Sequence, residues 1–141
     1  ILVGALSAIS SGIKECGAGD AVANLIIRIL GEQPSAFMIS TVIFFAAVLL
    51  TQVMSNIPTI LVFMPIGLSI AEKIGVSPYP IAMIITLAGA ASYATPFAAP
   101  QNMMTVGWTK YKFMDFVKIG VPMVLLTYVV VVALIPIFLP Y

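Results

Sequence analysis

The stretch MSNIPT, residues 54–59, places two polar side chains and a proline in the middle of a long run without charge. Apolar sequence typical of membrane helices lies on both sides, with FFAAVLLTQV before it and ILVFMPIGLS after it. Polar groups and a broken backbone are costly in lipid unless protein or water surrounds them. Residues 54–59 therefore predict a turn that is buried inside protein.

The composition indicates a membrane protein. The 141-residue chain is 62% hydrophobic and 8% charged, whereas a soluble domain carries about 25% charged residues. The net charge is +1 and the chain has no histidine, so we expect no nucleic-acid partner, no enzyme, no catalytic residue and no cofactor. The beginning, ILVGALSAIS, is typical of a helix interior, and we expect the chain to be part of a larger protein.

The charged residues divide the chain into five predicted segments of one all-α integral membrane domain. These are the end of a transmembrane helix over 1–14, an interfacial helix over 20–31, a re-entrant hairpin over 35–73, a broken transmembrane helix over 79–109 and a last transmembrane helix over 114–140. The segment 20–31 is too short to span a bilayer, and a continuation of the preceding helix is the alternative.

The hairpin is predicted from the length of the uncharged run 33–71, which is too long for one span. The arm before the turn, 35–54, is near spanning length. The arm after it, 59–71, rises only about 20 Å, less than the roughly 30 Å hydrocarbon core. Both arms fit a chain that enters the membrane, turns at SNIP and leaves on the side where it entered.

A second break is predicted at TPFAAPQN, residues 95–102, where two prolines interrupt a helix. Paired discontinuous helices are typical of the binding site of a secondary transporter. Thr51 and Ser55 lie four residues apart, so their hydroxyls share a helix face beside free carbonyls that favour Na⁺. Asn56 can donate to a carboxylate, and the prolines expose the backbone at Ala98.

The ordered motifs resemble the divalent anion/sodium symporter family of the ion transporter superfamily. The segment TQVMSNIPTILVFMPIGLSIAEKIGVSP is similar to its C-terminal hairpin. The segment AASYATPFAAPQNMMTVGWTKYKFMDFVKIGVPMVLL looks like the broken helix and the lead into the last helix. The opening GALSAISSGIKECGAGDAVA is similar to the elements before the hairpin.

The resemblance implies one half of an inverted-repeat, sodium-coupled transporter for a di- or tricarboxylate or sulfate, with Na⁺ as coupling ion. It implies a sodium site at Thr51, Ser55, Asn56 and Ala98. It implies a substrate site at Ser55, Asn56, Ile57, Pro100 and Asn102. Ile57 stands where the family's Ser-Asn-Thr signature has threonine, which leaves the anion class open.

The resemblance also implies partners and a location. The partners are the N-terminal repeat of the same transporter, a small anion, the lipid bilayer and a second copy in a homodimer. We expect a multi-pass protein of the cell membrane. The lysine-rich loop 109–118 is predicted to be cytoplasmic, which places the C-terminus outside. The alternatives are a cation/proton antiporter or oxyanion carrier of the same superfamily, or a non-transporting membrane scaffold.

Overall fold

The computed structural model describes residues 35–109 and 111–139, and single positions before them at 8, 12, 15, 17, 24 and 28. The segments predicted over 1–14 and 20–31 lie outside the continuously described ranges. Within those ranges the chain is helical and forms no strand, which confirms the all-α class. The helices are α1 (Ala36–Thr51), α2 (Asn56–Ile74), α3 (Pro78–Ala90), α4 (Pro100–Trp108) and α5 (Phe113–Phe138).

Local sequence explains where these helices begin and end. Ser35 caps α1, because its hydroxyl accepts a hydrogen bond from the Met38 amide at 3.3 Å. α2 ends at Gly75, whose φ of 73° is a left-handed conformation that glycine adopts without strain. α3 and α4 each begin with a proline, at Pro78 and Pro100, where the missing N–H has no helical partner to lose.

Two of the connections between helices are called breaks. The first break, residues 52–55, joins α1 to α2, and the second break, residues 91–99, joins α3 to α4. The chain reverses direction at the first break, since Ile39 near the start of α1 belongs to the same core cluster as Ile70 near the end of α2. α1 and α2 therefore form an antiparallel helical pair whose tip is the first break.

The predicted lengths of the two arms were wrong. α2 has 19 residues and rises about 28 Å, whereas α1 has 16 residues and rises about 24 Å. The second arm is longer than expected because the helix already begins at Asn56, with Pro58 in its first turn where proline is tolerated, and continues to Ile74. Among the described residues, Asn56–Ile74 and Phe113–Ile135 are long and apolar enough to cross a membrane.

α3 is the central helix and packs against α1, α2 and α5. Its direction relative to α2 follows from two close contacts: a Cβ added at Gly67 would lie 2.3 Å from Ile85 Cδ1, and one added at Gly89 would lie 2.5 Å from Ile60 Cγ1. Later residues of α2 thus meet earlier residues of α3, and the two helices are antiparallel. Because α1 is also antiparallel to α2, α1 and α3 run in the same direction, and their C-terminal ends lie side by side.

α5 closes the other side of the second break. A Cβ added at Gly120 would lie 2.3 Å from the Ala94 Cα and 2.5 Å from the Tyr93 carbonyl oxygen. Only glycine allows the backbone of α5 to approach the backbone of the second break this closely. The second break is therefore enclosed between α1 on one side and α5 on the other.

Candidate functional site

The ends of four helices meet at the two breaks. α1 and α3 end there, α2 begins there, and α4 begins immediately after the second break. The C-terminal end of a helix carries free carbonyls and partial negative charge, whereas the N-terminal end carries free N–H groups and partial positive charge. This meeting point therefore offers groups for a cation and groups for an anion at short distance from each other.

Thr51 is the centre of an oxygen cluster. Its side chain is fully buried, and its hydroxyl lies 2.8 Å from the Gly89 carbonyl oxygen and 3.1 Å from Asn56 Oδ1. The single hydroxyl proton can be donated fully to only one of these two acceptors. Three oxygen atoms from α1, α2 and α3 are thus brought together with one proton between them, and the Thr51 lone pairs remain free to accept.

Asn56 is oriented by the same contact. Because its Oδ1 atom accepts from the Thr51 hydroxyl, its amide nitrogen is directed away from Thr51 and keeps two protons to donate. The residue is the first of α2, so these protons lie at a positive helix end. Asn56 can therefore serve a cation through its oxygen and an anion through its nitrogen.

Ser55 and Ile57, on either side of Asn56, are accessible. Ser55 is exposed, and although it occupies the capping position of α2, its hydroxyl makes no capping hydrogen bond. Its carbonyl oxygen accepts a hydrogen bond from the Thr59 hydroxyl at 3.2 Å. Ile57 is 54% exposed and presents an aliphatic side chain where the family signature has a hydroxyl.

The remaining predicted residues lie in or just after the second break. Ala98 is 1% exposed, and Pro100 is exposed at the first position of α4. The Asn102 amide nitrogen donates to the Ser92 carbonyl at 2.8 Å and to the Thr95 carbonyl at 2.9 Å. Both of its protons are therefore used by the backbone of the second break, and only its Oδ1 atom is left for a ligand.

The predicted residues thus form two groups. Thr51 and Asn56 touch directly, while Ala98, Pro100 and Asn102 belong to the second break and the start of α4. Gln52 connects the two groups and was not among the predicted residues; its side chain and backbone bond to three residues of the second break. A signal was present, since an amide side chain in an uncharged apolar run requires hydrogen-bond partners.

A cavity of about 240 Å³ lies beside the second break, between α4 and the beginning of α5. Its lining includes the polar side chains of Asn102, Thr105 and Asp115, and the ring of Tyr93. The Asp115 carboxylate also accepts from the Lys112 amide at 2.9 Å, which caps the first turn of α5. A carboxylate therefore lies on the same cavity as the side chain that holds the second break.

Comparison with known proteins identifies the family of the chain. A family model described as "Citrate transporter" matches residues 1–141. Solute carrier family 13 member 1 of Homo sapiens is 34% identical over 120 residues, which are 85% of this chain and 20% of that protein. The Na(+)/citrate cotransporter of Rattus norvegicus is 26% identical over 123 residues, 87% of this chain and 21% of that protein.

An uncharacterized transporter of Escherichia coli is 41% identical over 87 residues, 62% of this chain and 14% of that protein. The chain therefore spans about a fifth or less of the length of these three relatives. The relatives confirm the resemblance to the divalent anion/sodium symporter family, and they place the chain in a family of membrane transporters rather than enzymes. The chain belongs to the citrate transporter family.

Proposed function

We propose that this chain belongs to the C-terminal half of a sodium-coupled secondary transporter for a small anion. Two observations support the proposal: the family match over residues 1–141, and the short share of each relative that the chain spans. An inverted-repeat transporter builds its site from both halves. The other half of the site would therefore come from an N-terminal repeat of the same transporter.

The oxygen cluster around Thr51 carries the proposal. Small hard cations prefer oxygen ligands, and secondary transporters coordinate Na⁺ with unwound backbone carbonyls and helix C-terminal ends. Thr51 Oγ1 lies 2.8 Å from the Gly89 carbonyl oxygen and 3.1 Å from Asn56 Oδ1. Na⁺ would bind the hydroxyl of Thr51, the Asn56 amide oxygen, Ser55 and the backbone of Ala98.

The anion would bind at the positive helix ends beside the cation. The Asn56 amide nitrogen, the Ser55 hydroxyl and the first N–H groups of α2 offer donors, and α4 begins at Pro100, directly after the second break. Asn102 would support the site mainly by holding the second break, because its amide protons are already used. The substrate would be a di- or tricarboxylate or sulfate.

Ile57 bears on the choice among these anions. It is 54% exposed and directly follows Asn56, so it would form an apolar part of the substrate site. An aliphatic wall cannot donate to a carboxylate oxygen, and it favours a substrate with an apolar surface, such as the methylene groups of a dicarboxylate, over sulfate. One of the relatives is named a Na(+)/citrate cotransporter.

Cation and anion would be coupled through Asn56. Na⁺ on the Asn56 oxygen would fix the orientation of the amide nitrogen that binds the anion, and its charge would offset that of the anion. Each ligand would therefore raise the affinity for the other, as thermodynamic linkage requires. The chemistry requires no resident cofactor beyond the coupling ion.

The lengths of α3 and α4 support one placement in the membrane. α3 has 13 residues and α4 has 9, rising about 20 Å and 13 Å, which together match the roughly 30 Å hydrocarbon core. The second break would then lie inside the bilayer, and the first break, which contacts it, would be the tip of a re-entrant hairpin. The loop 109–118 would be cytoplasmic, the C-terminus external, and the complete transporter a homodimer.

The test uses the intact protein that carries this chain, reconstituted in lipid vesicles. Asn56→Ala is expected to abolish sodium-dependent uptake of labelled citrate or succinate, and Asn56→Asp, which keeps an oxygen toward Thr51 but loses the amide donor, to retain sodium binding and lose uptake. Asn24→Ala is the matched control, because the Asn24 side chain accepts from Lys73 at the opposite end of α2.

Unchanged sodium-dependent uptake by Asn56→Ala would contradict the proposal. Uptake driven by a pH gradient without sodium would instead favour a proton-coupled carrier. Calorimetry that detects neither sodium nor anion binding to the wild-type protein would favour a membrane scaffold.

A further inference from the structure

We propose that Gln52 is a positioning residue that sets the shape of the second break. The proposal rests on the function proposed above, in which ligands bind across both breaks. It adds a residue that touches neither ligand and acts through the backbone of residues 91–99.

The contacts of Gln52 reach three residues of the second break. Its amide nitrogen donates to the Ala91 carbonyl at 2.9 Å, and its amide oxygen accepts from the Ala94 N–H at 3.0 Å. Its own carbonyl oxygen accepts from the Thr95 hydroxyl at 2.7 Å. One residue of the first break therefore bonds to both a donor and an acceptor of the second.

These bonds replace those that a continuous helix would supply. Between Ala90 and Pro100 the chain has left the helix, so its backbone groups need other partners, because an unsatisfied polar group is costly where no water can replace the missing bond. The Gln52 amide is itself held in place, because its nitrogen also donates to the Val48 carbonyl of α1 at 3.1 Å. The second break thus takes its position from the end of α1.

The chain position of Gln52 makes the link between the breaks direct. Gln52 follows Thr51, the centre of the oxygen cluster, without an intervening residue. A displacement of the end of α1 therefore moves the Thr51 ligand and the second break, with Ala98 and Pro100, together. Gln52 therefore holds the Thr51 ligand and the backbone around Ala98 and Pro100 at fixed positions relative to each other.

The experiment compares Gln52→Met with Thr41→Val in the intact protein. Methionine keeps the length of the side chain and removes its hydrogen bonds. The control also removes a hydrogen bond of α1, since the Thr41 hydroxyl lies 2.9 Å from the Tyr128 hydroxyl of α5. Thr41 is ten residues before Thr51, or about 15 Å along the helix, and does not contact the second break.

Two readouts are measured for each variant. The first is hydrogen exchange of the peptide that contains Ala94, without sodium or anion, which should become faster in Gln52→Met and stay unchanged in Thr41→Val. The second is sodium-dependent uptake, in which the half-saturating sodium and anion concentrations should both rise about five- to tenfold in Gln52→Met. The maximal rate per folded transporter should change much less.

A purely structural role for Gln52 predicts a different pattern. Both variants would then lose thermal stability to a similar extent, with unchanged half-saturating concentrations, and this result would overturn the proposal. Thr95→Val is a milder second variant if Gln52→Met does not fold, because it removes only the bond to the Gln52 carbonyl and should shift both readouts in the same direction. If hydrogen exchange is faster in Gln52→Met but the wild-type protein shows no sodium-dependent uptake, the proposed function is refuted. The positioning role of Gln52 would still be supported.

Discussion

The two helix breaks differ in what satisfies them. The first break is short and open to its surroundings, with Val53 82% exposed and Ser55 also exposed. The second break is longer and mostly buried, with Ala91, Ser92, Ala98 and Ala99 each at most 9% exposed. The first break presents the accessible Ser55 hydroxyl, whereas the second break is buried at both ends and exposes the rings of Tyr93 and Phe97.

Their hydrogen bonds differ in the same way. Side chains from outside the second break bind its backbone: Gln52 bonds to Ala91 and Ala94, and Asn102 bonds to Ser92 and Thr95. At the first break, the Ser55 hydroxyl makes no capping bond to α2. Under the proposed function, the second break would be a fixed frame and the first break would present groups that exchange with ligands.

Gly120→Ala is expected to have the largest effect, because it displaces the backbone of the second break. The new Cβ would lie 2.3 Å from the Ala94 Cα and 2.5 Å from the Tyr93 oxygen, and these backbone atoms cannot move aside as a flexible side-chain end can. We expect a loss of about 1–3 kcal/mol in the free energy of unfolding, together with a loss of transport. Thermal unfolding of the purified protein in detergent measures the first effect, and vesicle uptake the second.

Gly107→Ala is the control for this prediction. A Cβ at Gly107 meets nothing within 4 Å, and alanine is about 1 kcal/mol better than glycine in a helix interior. Stability should therefore stay the same or increase slightly. Equal losses for the two alanine variants would show that the second break is not held by close contact with α5.

Thr51→Val tests whether the oxygen cluster at the end of α1 binds sodium. Valine keeps the shape of the buried side chain and removes the hydroxyl that contacts Asn56 and Gly89. We expect the half-saturating sodium concentration to rise about tenfold, the factor that corresponds to about 1.4 kcal/mol of lost interaction. Sodium-dependent uptake and sodium titration by calorimetry measure the change.

Thr86→Val is the matched control for Thr51→Val. The Thr86 hydroxyl is exposed and donates only to the Ala82 carbonyl of its own helix, at 2.9 Å. Its removal should leave the sodium dependence unchanged. A sodium dependence that is also unchanged in Thr51→Val would show that the oxygen cluster is a packing contact and not a cation site.

The local pattern of the sequence was sufficient to predict that the chain breaks twice, but each break lies three to four residues earlier than predicted: at 52–55 instead of 55–58, and at 91–99 instead of 95–102. Polar residues and prolines in uncharged runs mark both breaks, and Ser35, Gly75 and Pro78 lie at helix ends where such residues are expected. The family was also recognisable, because three motifs occur in the family's order. These features depend on neighbours in the chain, and a single sequence contains that information.

The pairing of distant segments was not predictable in the same way. Gln52 bonds to carbonyl and amide groups about forty residues away, and Gly120 meets Ala94 through the packing of α5. Neither contact leaves a periodic pattern, since each depends on how whole helices lie against one another. The length of α2 differs from the predicted arm 59–71 for a local reason, because Pro58 lies in the first turn of a helix that already begins at Asn56.

The smallest effect on stability is expected at the capping position of α2. Ser35 and Ser55 both precede a helix, but only the Ser35 hydroxyl accepts from the backbone, at 3.3 Å from the Met38 nitrogen. Ser35→Ala should therefore cost about 1 kcal/mol of stability without changing sodium dependence. Ser55→Ala should change stability by less than about 0.5 kcal/mol.

The difference between the two serines becomes informative when ligand is present. If the Ser55 hydroxyl is unused by the protein because it binds sodium or anion, Ser55→Ala should reduce the rise in melting temperature that these ligands produce, since ligand stabilisation scales with affinity. Ser35→Ala should keep that rise and lower the baseline. A Ser55→Ala variant that loses baseline stability but keeps the full ligand-induced rise would mean that Ser55 is an ordinary helix cap. This result would contradict the proposal that the first break presents groups that bind ligands.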